Sequence, residues 1–414
     1  MQPIRNKMVG QICLISILVM SSFGSPRLQG LFNTGMYSFT RSGANDSTLF
    51  HTRLHQSLSL NARDLALKDS QLRISGIFYM DPLNSFSNEP GFHIYRLSYQ
   101  TKWFDRQLSI DLGRQFIYSI TATKRIDGIQ TVWNRSALSL KIFAGGYLPG
   151  LGTTYSPIAD HLLGADLLWK FKPGFNLGVG VSELGRDRTT YEVIGLRNGD
   201  ISVTSSARQR LGYQFNWHTK RFSTYFRARN DLFSLELQDL RARVSYRGDR
   251  IRSFSLEYLH REPQVLENSI FSVFDGYASQ QIRSQLSISI NSDLIAHFRI
   301  KHIQFESNRS DQLSAALGYK MIRLDLRHQQ GYGGEYNHII ISTNLAMGQS
   351  RVYGKLNLGN FKLLEGESQD LATALLGLHI PIGRQFQLKL EGQALRNIYY
   401  QYDSRLYLGL RYRL

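Results

Sequence analysis

The last ten residues, Arg405-Leu-Tyr-Leu-Gly-Leu-Arg-Tyr-Arg-Leu414, decide the fold. Leu406, Leu408, Leu410, Tyr412 and Leu414 fall at one parity, and Arg405, Tyr407, Gly409, Arg411 and Arg413 at the other. Side chains of an extended strand point alternately to opposite faces, so this stretch reads as a strand with one apolar and one cationic face.

Five further segments divide in the same way. Phe222, Thr224, Phe226 and Ala228 oppose Arg221, Ser223, Tyr225, Arg227 and Arg229; Leu240, Ala242, Val244 and Tyr246 oppose Arg241, Arg243, Ser245 and Arg247. Leu286, Ile288 and Ile290 oppose Gln285, Ser287 and Ser289, and Ile322, Leu324 and Leu326 oppose Arg323, Asp325 and Arg327. Near the end, Phe386, Leu388 and Leu390 oppose Gln385, Gln387, Lys389 and Glu391. Helical periodicity is almost absent.

Alternation alone also fits a soluble sandwich. The links between segments separate the two. Tight links with turn chemistry, at 172–174, 248–250, 291–293, 347–349 and 381–383, alternate with longer polar ones at 81–91, 147–160, 185–206, 262–280, 306–310, 330–335 and 361–368. This is the pattern of an all-β, transmembrane, up-and-down antiparallel β-barrel with short turns on one rim and long loops on the other. Counting each alternating segment once gives about 22 strands, and because 126–134 is a weak strand, 18 or 20 stay open as even counts. The stretches 189–196 and 200–206 are both β-like, so the 185–206 link is a candidate for one more hairpin.

The first 24 residues differ from the rest. Arg5 and Lys7 precede an apolar run from Ile12 to Met20, followed by small residues near Ser22 and Gly24. A run this far below the roughly 20 residues of a membrane-spanning helix is a signal peptide, 1–24, leaving 25–414 as the barrel. Its removal takes the formal charge from +17 to about +15, and takes away Cys13, the one cysteine of the chain. The mature chain then has neither disulfides nor cysteine-held metal.

An excess of 49 Lys and Arg over 32 Asp and Glu invites a nucleic-acid reading, but the cations are spaced singly at alternate positions, not clustered. They therefore line one surface of a sheet. If the apolar parity meets lipid, the other meets the lumen, and Arg227, Arg229, Arg241, Arg243, Arg247, Arg299, Arg323, Arg327, Lys389, Arg411 and Arg413 become its lining, with Arg73, Arg96, Arg283, Lys301, Lys355 and Arg405 beside them. The few acids of that parity are chiefly Asp111, Glu257, Asp325 and Glu391. Such a surface concentrates anions. It points to a channel or binding lumen for an anionic solute; the alternative is a scaffold or translocation barrel whose lumen or rim holds a protein partner in secretion. The bland reading of the cations is pairing with these acids and with lipid phosphates.

The 262–280 link carries Val265, Leu266, Ile270, Phe271, Val273, Phe274 and Tyr277, an apolar content that suits a loop folded into the pore, a docking surface, or a hairpin extending above the membrane. A 22-stranded barrel is wide enough to need filling, and no leading segment is large enough to be a plug. Aromatics at segment ends, Phe104, Phe116, Tyr118, Phe171, Phe175, Tyr399 and Tyr400, suit interfacial girdles. Enzyme motifs are lacking: Gly178-Val179-Gly180 sits in a strand, without the strand-to-helix context of a phosphate cradle. No zinc-protease, calcium-loop or nucleophile-elbow pattern occurs, and no cofactor or metal is implied.

The chain resembles bacterial outer-membrane β-barrels, and its last strand resembles their C-terminal assembly signal, although that signal ends in an aromatic residue and this one in Leu414. The resemblance implies a Gram-negative outer membrane, contact with its lipid, and recognition of the last strand by the barrel-assembly machinery. A smaller likeness, Leu112-Gly-Arg-Gln115 followed by Asp127-Gly128, is to alginate-export-type barrels. N-terminal sequencing of the membrane-extracted protein should begin at Ser25; a start at Met1 would refute the signal peptide.

Overall fold

The computed structural model describes residues 27–42, 48–65, 67–83, 91–148, 160–185, 189–192, 200–203, 208–263, 278–306, 308–363, 366–396 and 403–414. The signal-peptide segment, most of the apolar 262–280 link, and Tyr399 and Tyr400 lie outside the described residues.

The first strands are β1 (Arg27–Ser42), β2 (Thr48–Arg63), β3 (Gln71–Met80), β4 (Gly91–Trp103), β5 (Leu108–Tyr118), β6 (Thr123–Arg135), β7 (Leu138–Tyr147), β8 (His161–Lys172) and β9 (Phe175–Leu184). Next come β10 (Thr189–Glu192), β11 (Asp200–Val203), β12 (Arg208–His218), β13 (Phe222–Asp231), β14 (Leu237–Tyr246), β15 (Ile251–Arg261) and β16 (Ser279–Ser289). The series ends with β17 (Leu294–Phe305), β18 (Asn308–Tyr319), β19 (Ile322–Gly331), β20 (Glu335–Met347), β21 (Ser350–Lys362), β22 (Gln369–Ile382), β23 (Phe386–Arg396) and β24 (Asp403–Arg413).

Twenty-two of these form one antiparallel sheet, in which β9 pairs with β12 and β1 pairs with both β2 and β24, so the sheet closes on itself. The remaining two, β10 and β11, pair only with each other and form the extra hairpin in the 185–206 link. The segment 126–134, weak by sequence, lies within a continuous β6, paired on both sides. Closure leaves no strand edge, which is what a sheet needs where lipid cannot hydrogen-bond its backbone.

Two links expected to be long, at 306–307 and 332–334, are short, so the alternation of short and long links is incomplete. The rim across from them, the short-turn rim, carries the links 104–107, 136–137, 173–174, 219–221, 247–250, 290–293, 320–321, 348–349 and 383–385 with the longer 64–70, and both Arg27 and Arg413 end there. All four tryptophans of the chain, Trp103, Trp133, Trp169 and Trp217, lie at this rim on the outward parity. Trp169 stacks on Phe171 at 4.0 Å, Phe171 meets Phe175 edge-on at 5.4 Å, and Phe386 lies 4.7 Å from Tyr412. These aromatic rings, with the amphipathic Trp and Tyr among them, form the interfacial girdle expected of Phe171 and Phe175.

Toward the opposite rim the outer face turns polar. His302 lies 2.6 Å from Asp311, His328 lies 2.7 Å from Asn337, and Asn337 donates to Asn360 at 3.1 Å. Between these belts the exposed outward residues are apolar, among them Leu408, Leu410, Ile300, Leu313, Leu324, Leu326, Ile339 and Leu356. An exposed apolar band bounded by aromatic and polar rings is a lipid-facing surface, and the chain is an outer-membrane barrel.

Leu408 sits at the middle of β24 on that band. Leu408→Arg should cost about 2–4 kcal/mol in a urea titration of the barrel folded into vesicles; a change under about 1 kcal/mol would mean that this face does not meet lipid.

Candidate functional site

The same register that turns Leu408 outward turns its neighbours inward. Arg411 pairs across the seam with Asn33, and Arg405 with Phe39, on the inner face of β1. Arg227 and Arg229 lie opposite Gln214 and Gly212 on β12, and Arg241 and Arg243 opposite Arg227 and Tyr225 on β13. Arg299 lies opposite Gln285, Arg323 opposite Gly318, Arg327 opposite Ser314, and Lys389 opposite Gly409. Arg247 continues the inner parity of β14 just past its end, and Arg413 that of β24.

These side chains divide into two groups. Carboxylates hold the first, all of them buried except the half-buried Glu391. Asp239 accepts from Arg227 at 3.3 Å and Arg229 at 3.1 Å, and Glu257 accepts from Arg241 at 2.7 Å with Arg283 at 3.8 Å. Asp325 lies between Arg323 and Arg327 at 3.4 and 3.2 Å, Glu391 binds Lys389 at 2.9 Å, and Asp403 binds Arg405 at 2.7 Å. Sequence reasoning had named Glu257, Asp325 and Glu391 but missed Asp239, Asp166 and Asp403. The shared acids leave a surplus of cations. In the second group, Arg243, Arg247, Arg299, Arg411 and Arg413 have no carboxylate within 4.0 Å among the described residues.

Arg243 and Arg247 open onto a cavity of about 650 Å³ beside the short-turn rim. Asn216, Ser223, Tyr225, Arg241, Ser245, Ser253, Ser255 and Gln285 are also among its lining residues. A smaller cavity of about 200 Å³ shares Gln285 and adds Ser287, His297, Arg299, Arg323 and Arg327. Hydroxyl, amide and guanidinium donors predominate on this stretch of wall. It can hold an anion by charge-assisted hydrogen bonds.

The opposite half of the lumen is not open in the same way. The ladder between β4 and β5 stops at Leu97 opposite Arg114, whereas that between β6 and β7 begins at Ile126 opposite Tyr147. The tip of the β5–β6 hairpin, 115–125, therefore leaves the wall. Gly113 makes the bend: its φ is +106°, and a Cβ there would collide with the Leu97 carbonyl oxygen. Arg114 secures the bend with a two-pronged bond to Asp127 at 2.8 and 2.7 Å and a third to the Ile94 carbonyl at 3.2 Å, which β5 has left unpaired. The LGRQ and DG residues are thus the hinge of an inward-folded hairpin.

Its tip packs against the lumen wall. Ile120 is 6% exposed and Thr121 0%. A Cβ on Gly178 would lie 2.7 Å from Ile120 Cδ1, and one on Gly212 2.9 Å from both Ile120 Cγ2 and Thr121 Cγ2, so the glycines of β9 and β12 form the cleft that receives the tip. The Ile120 backbone N–H donates to Asp166 at 3.2 Å, Lys141 Nζ donates to the Tyr118 carbonyl at 2.5 Å, and Arg229 Nη1 to the Thr121 carbonyl at 3.4 Å. Ile117 and Ile126 of the hairpin join Phe143, Tyr147, Leu162 and Leu184 of the wall in an apolar cluster. Phe116 and Tyr118, expected in a girdle, ride on the hairpin's other face, 41% and 66% exposed. The 262–280 link, for which an inward fold was one of three readings, lies mostly outside the described residues; among the described residues the four-residue turn 119–122 folds inward.

No group of His, Cys, Asp and Glu suited to a metal occurs among the described residues. No family model matches the sequence, and no curated relative matches it. Among solved structures the chain is similar to the P pilus usher (PapC) translocation pore, at 9% identity over 94% of this chain and 99% of that one, with a TM-score of 0.48. It is also similar to Pseudomonas aeruginosa OccK2 (OpdF) in complex with glucuronate, at 10% identity over 94% and 96%, with a TM-score of 0.45. A third is Acinetobacter baumannii OccAB3, at 10% identity over 94% and 99%, with a TM-score of 0.43.

Ile120→Asp would bury a carboxylate against apolar wall beside Asp166 and remove Ile packing worth roughly 2–5 kcal/mol. The hairpin should swing from the wall, so cleavage between 115 and 125 by added protease should rise at least about tenfold. Unchanged protection would show that the tip is held by something other than this cleft.

Proposed function

We propose that the protein is an outer-membrane channel whose cationic interior passes or binds an anionic solute. The observation that carries this reading is the large cavity of β12–β16, where Arg243 and Arg247 stand among hydroxyls with no carboxylate within 4.0 Å among the described residues. Counter-charge has to come from solution, and an anion entering the lumen supplies it. Arg227, Arg229 and Arg241 contribute less than their number suggests, because Asp239 and Glu257 neutralise part of their field. We also infer export by the N-terminal segment and assembly through β24, as the resemblance to outer-membrane barrels implies.

Planar bilayers test the proposal. Under a salt gradient the wild-type barrel should favour chloride over potassium, and Arg243→Gln with Arg247→Gln should lower that preference by about twofold or more. Arg227→Gln, whose partner Asp239 is already shared with Arg229, should change it less. A preference unaffected by the Arg243 and Arg247 changes would overturn the cationic-lumen reading. A barrel silent until a bound protein is stripped away would favour a scaffold holding a secretion partner.

A further inference from the structure

The smaller cavity lies on the inner face of β16–β19, where the strand register stacks two rows of side chains. Gln285, Arg299, Ser314 and Arg327 form one row, and Ser287, His297, Ala316 and Asp325 the next. Arg323 continues the inner parity of β19 toward the short-turn rim. The centre of the patch is occupied by the short side chains of Ser314 and Ala316 on β18. The long ones stand on either side, Arg299 on β17 and Arg323 and Arg327 on β19, and all of them line the cavity. The result is a hollow floored by β18 between two cationic walls.

Arg299 has no carboxylate within 4.0 Å among the described residues, whereas Arg323 and Arg327 share Asp325 at 3.4 and 3.2 Å. Three guanidinium charges less one carboxylate leave the hollow with two positive charges in excess. Ser287 Oγ and His297 Nδ1 lie 2.8 Å apart. If the hydroxyl donates, the imidazole keeps its Nε2–H; if Nδ1 donates, the hydroxyl keeps its proton, so the pair retains one free donor either way. Ser314 is 8% exposed, and its hydroxyl has no hydrogen-bond partner among the described residues. A buried donor left unsatisfied is uncommon in a folded protein. An acceptor held in the cavity that Ser314 lines would satisfy it after a turn about χ1.

A tetrahedral dianion meets these requirements where a carboxylate does not. It matches the excess charge and presents oxygens in four directions, so both cationic walls and the hydroxyls can bind it at once. A carboxylate is planar, carries a single charge and fills one guanidinium fork, which leaves the other wall and the hydroxyls without a partner. Size agrees, because about 200 Å³ is less than the roughly 300–1,000 Å³ of pockets that enclose whole organic ligands. We propose that the β16–β19 hollow is a binding site for a phosphate dianion, free or as the terminal group of a small ester whose remainder stays in the lumen. Arg299 grips it from one side and Arg323 and Arg327 from the other, with Ser314 and the Ser287–His297 pair as neutral donors. The inference rests on the anion reading of the lumen and names the class of anion and its place.

Calorimetric titration of the whole purified barrel in detergent, at a pH where phosphate is a dianion, tests it without requiring an open pore. Inorganic phosphate should bind at least about tenfold more tightly than acetate or galacturonate. Arg299→Gln should weaken phosphate about tenfold, and because Arg299 holds no carboxylate of the protein, that barrel should fold as the wild type does. Arg299→Lys, which keeps the charge, should lose only about threefold, and Ser314→Ala about as much. Lys320→Gln removes the same charge from the neighbouring β18–β19 turn, outside the hollow, and should leave the affinity within about twofold. Glycerol 3-phosphate identifies the source: tighter binding than phosphate assigns an ester, weaker binding the free ion. Phosphate no tighter than acetate, galacturonate tighter than phosphate, affinity indifferent to Arg299→Gln, or an equal loss from Lys320→Gln would each overturn the site. The parent reading fails separately, when the bilayer shows a chloride preference unaffected by Arg243→Gln with Arg247→Gln.

Discussion

Everything in this structure depends on the closure of β24 onto β1. Within a membrane each backbone N–H and C=O left without a partner costs several kcal/mol, so a sheet can span lipid only if its first and last strands find each other. The pairing runs from Leu31 opposite Arg413 to Phe39 opposite Arg405. Once it forms, parity does the sorting. One residue in two faces lipid and must be apolar, and every charge the chain carries in its strands is driven to the lumen or to the rims. A basic sequence threaded through a closed sheet thus sets arginines such as Arg227, Arg241 and Arg323 at the inner parity.

A lumen formed by 22 strands is wide, and an empty wide lumen exposes whatever apolar residues its wall contains. Here the wall of β7–β9 turns Phe143, Leu162 and Leu184 inward, against the general rule of polar lumen parity. The β5–β6 hairpin covers them. Its own inward residues, Ile117 and Ile126, complete the cluster, and burying each large side chain is worth about 1.5–3 kcal/mol. The left-handed Gly113 and the detached end of the β4 ladder are the cost of that cover, offset in part by the Arg114 bond to the orphaned Ile94 carbonyl.

The sequence made the barrel legible because the signal for it is repeated along the chain: period-two alternation and turn chemistry are local and redundant, even though the links 306–307 and 332–334 are shorter than their sequence suggested. Even the β10–β11 hairpin showed in its β-rich composition. The inward hairpin was not legible because its cause is spread over distant strands. Gly178, Gly180 and Gly212 make a cleft only after β9 and β12 pair, and the turn 119–122 is among the shorter links of its rim. The clue was present as a broken pattern: Ile117, Ile126, Phe143, Leu162 and Leu184 are apolar at a parity where other strands place Arg, Ser or Gln. The lining cations were legible one by one, but which of them have partners was not. Asp239 sits across the ladder from Arg229 and reaches Arg227 diagonally, geometry that no spacing along the chain encodes.

The division of the cations has a physical logic. Where a lumen arginine also holds structure, as Arg229 does by bonding the Thr121 carbonyl, a buried acid stands beside it, because a charge fixed in a crowded place cannot rely on solvent. Where the wall is open, as at Arg243, Arg247 and Arg411, no acid is supplied and water or a solute can do the same service. Paired cations stand at the hairpin anchorage, on the ladder of β13–β15, and on β19, β23 and β24, while the unpaired Arg243 and Arg247 border the serine-lined cavity. In the channel proposed above, stability and recognition draw on the same residue type at largely different positions.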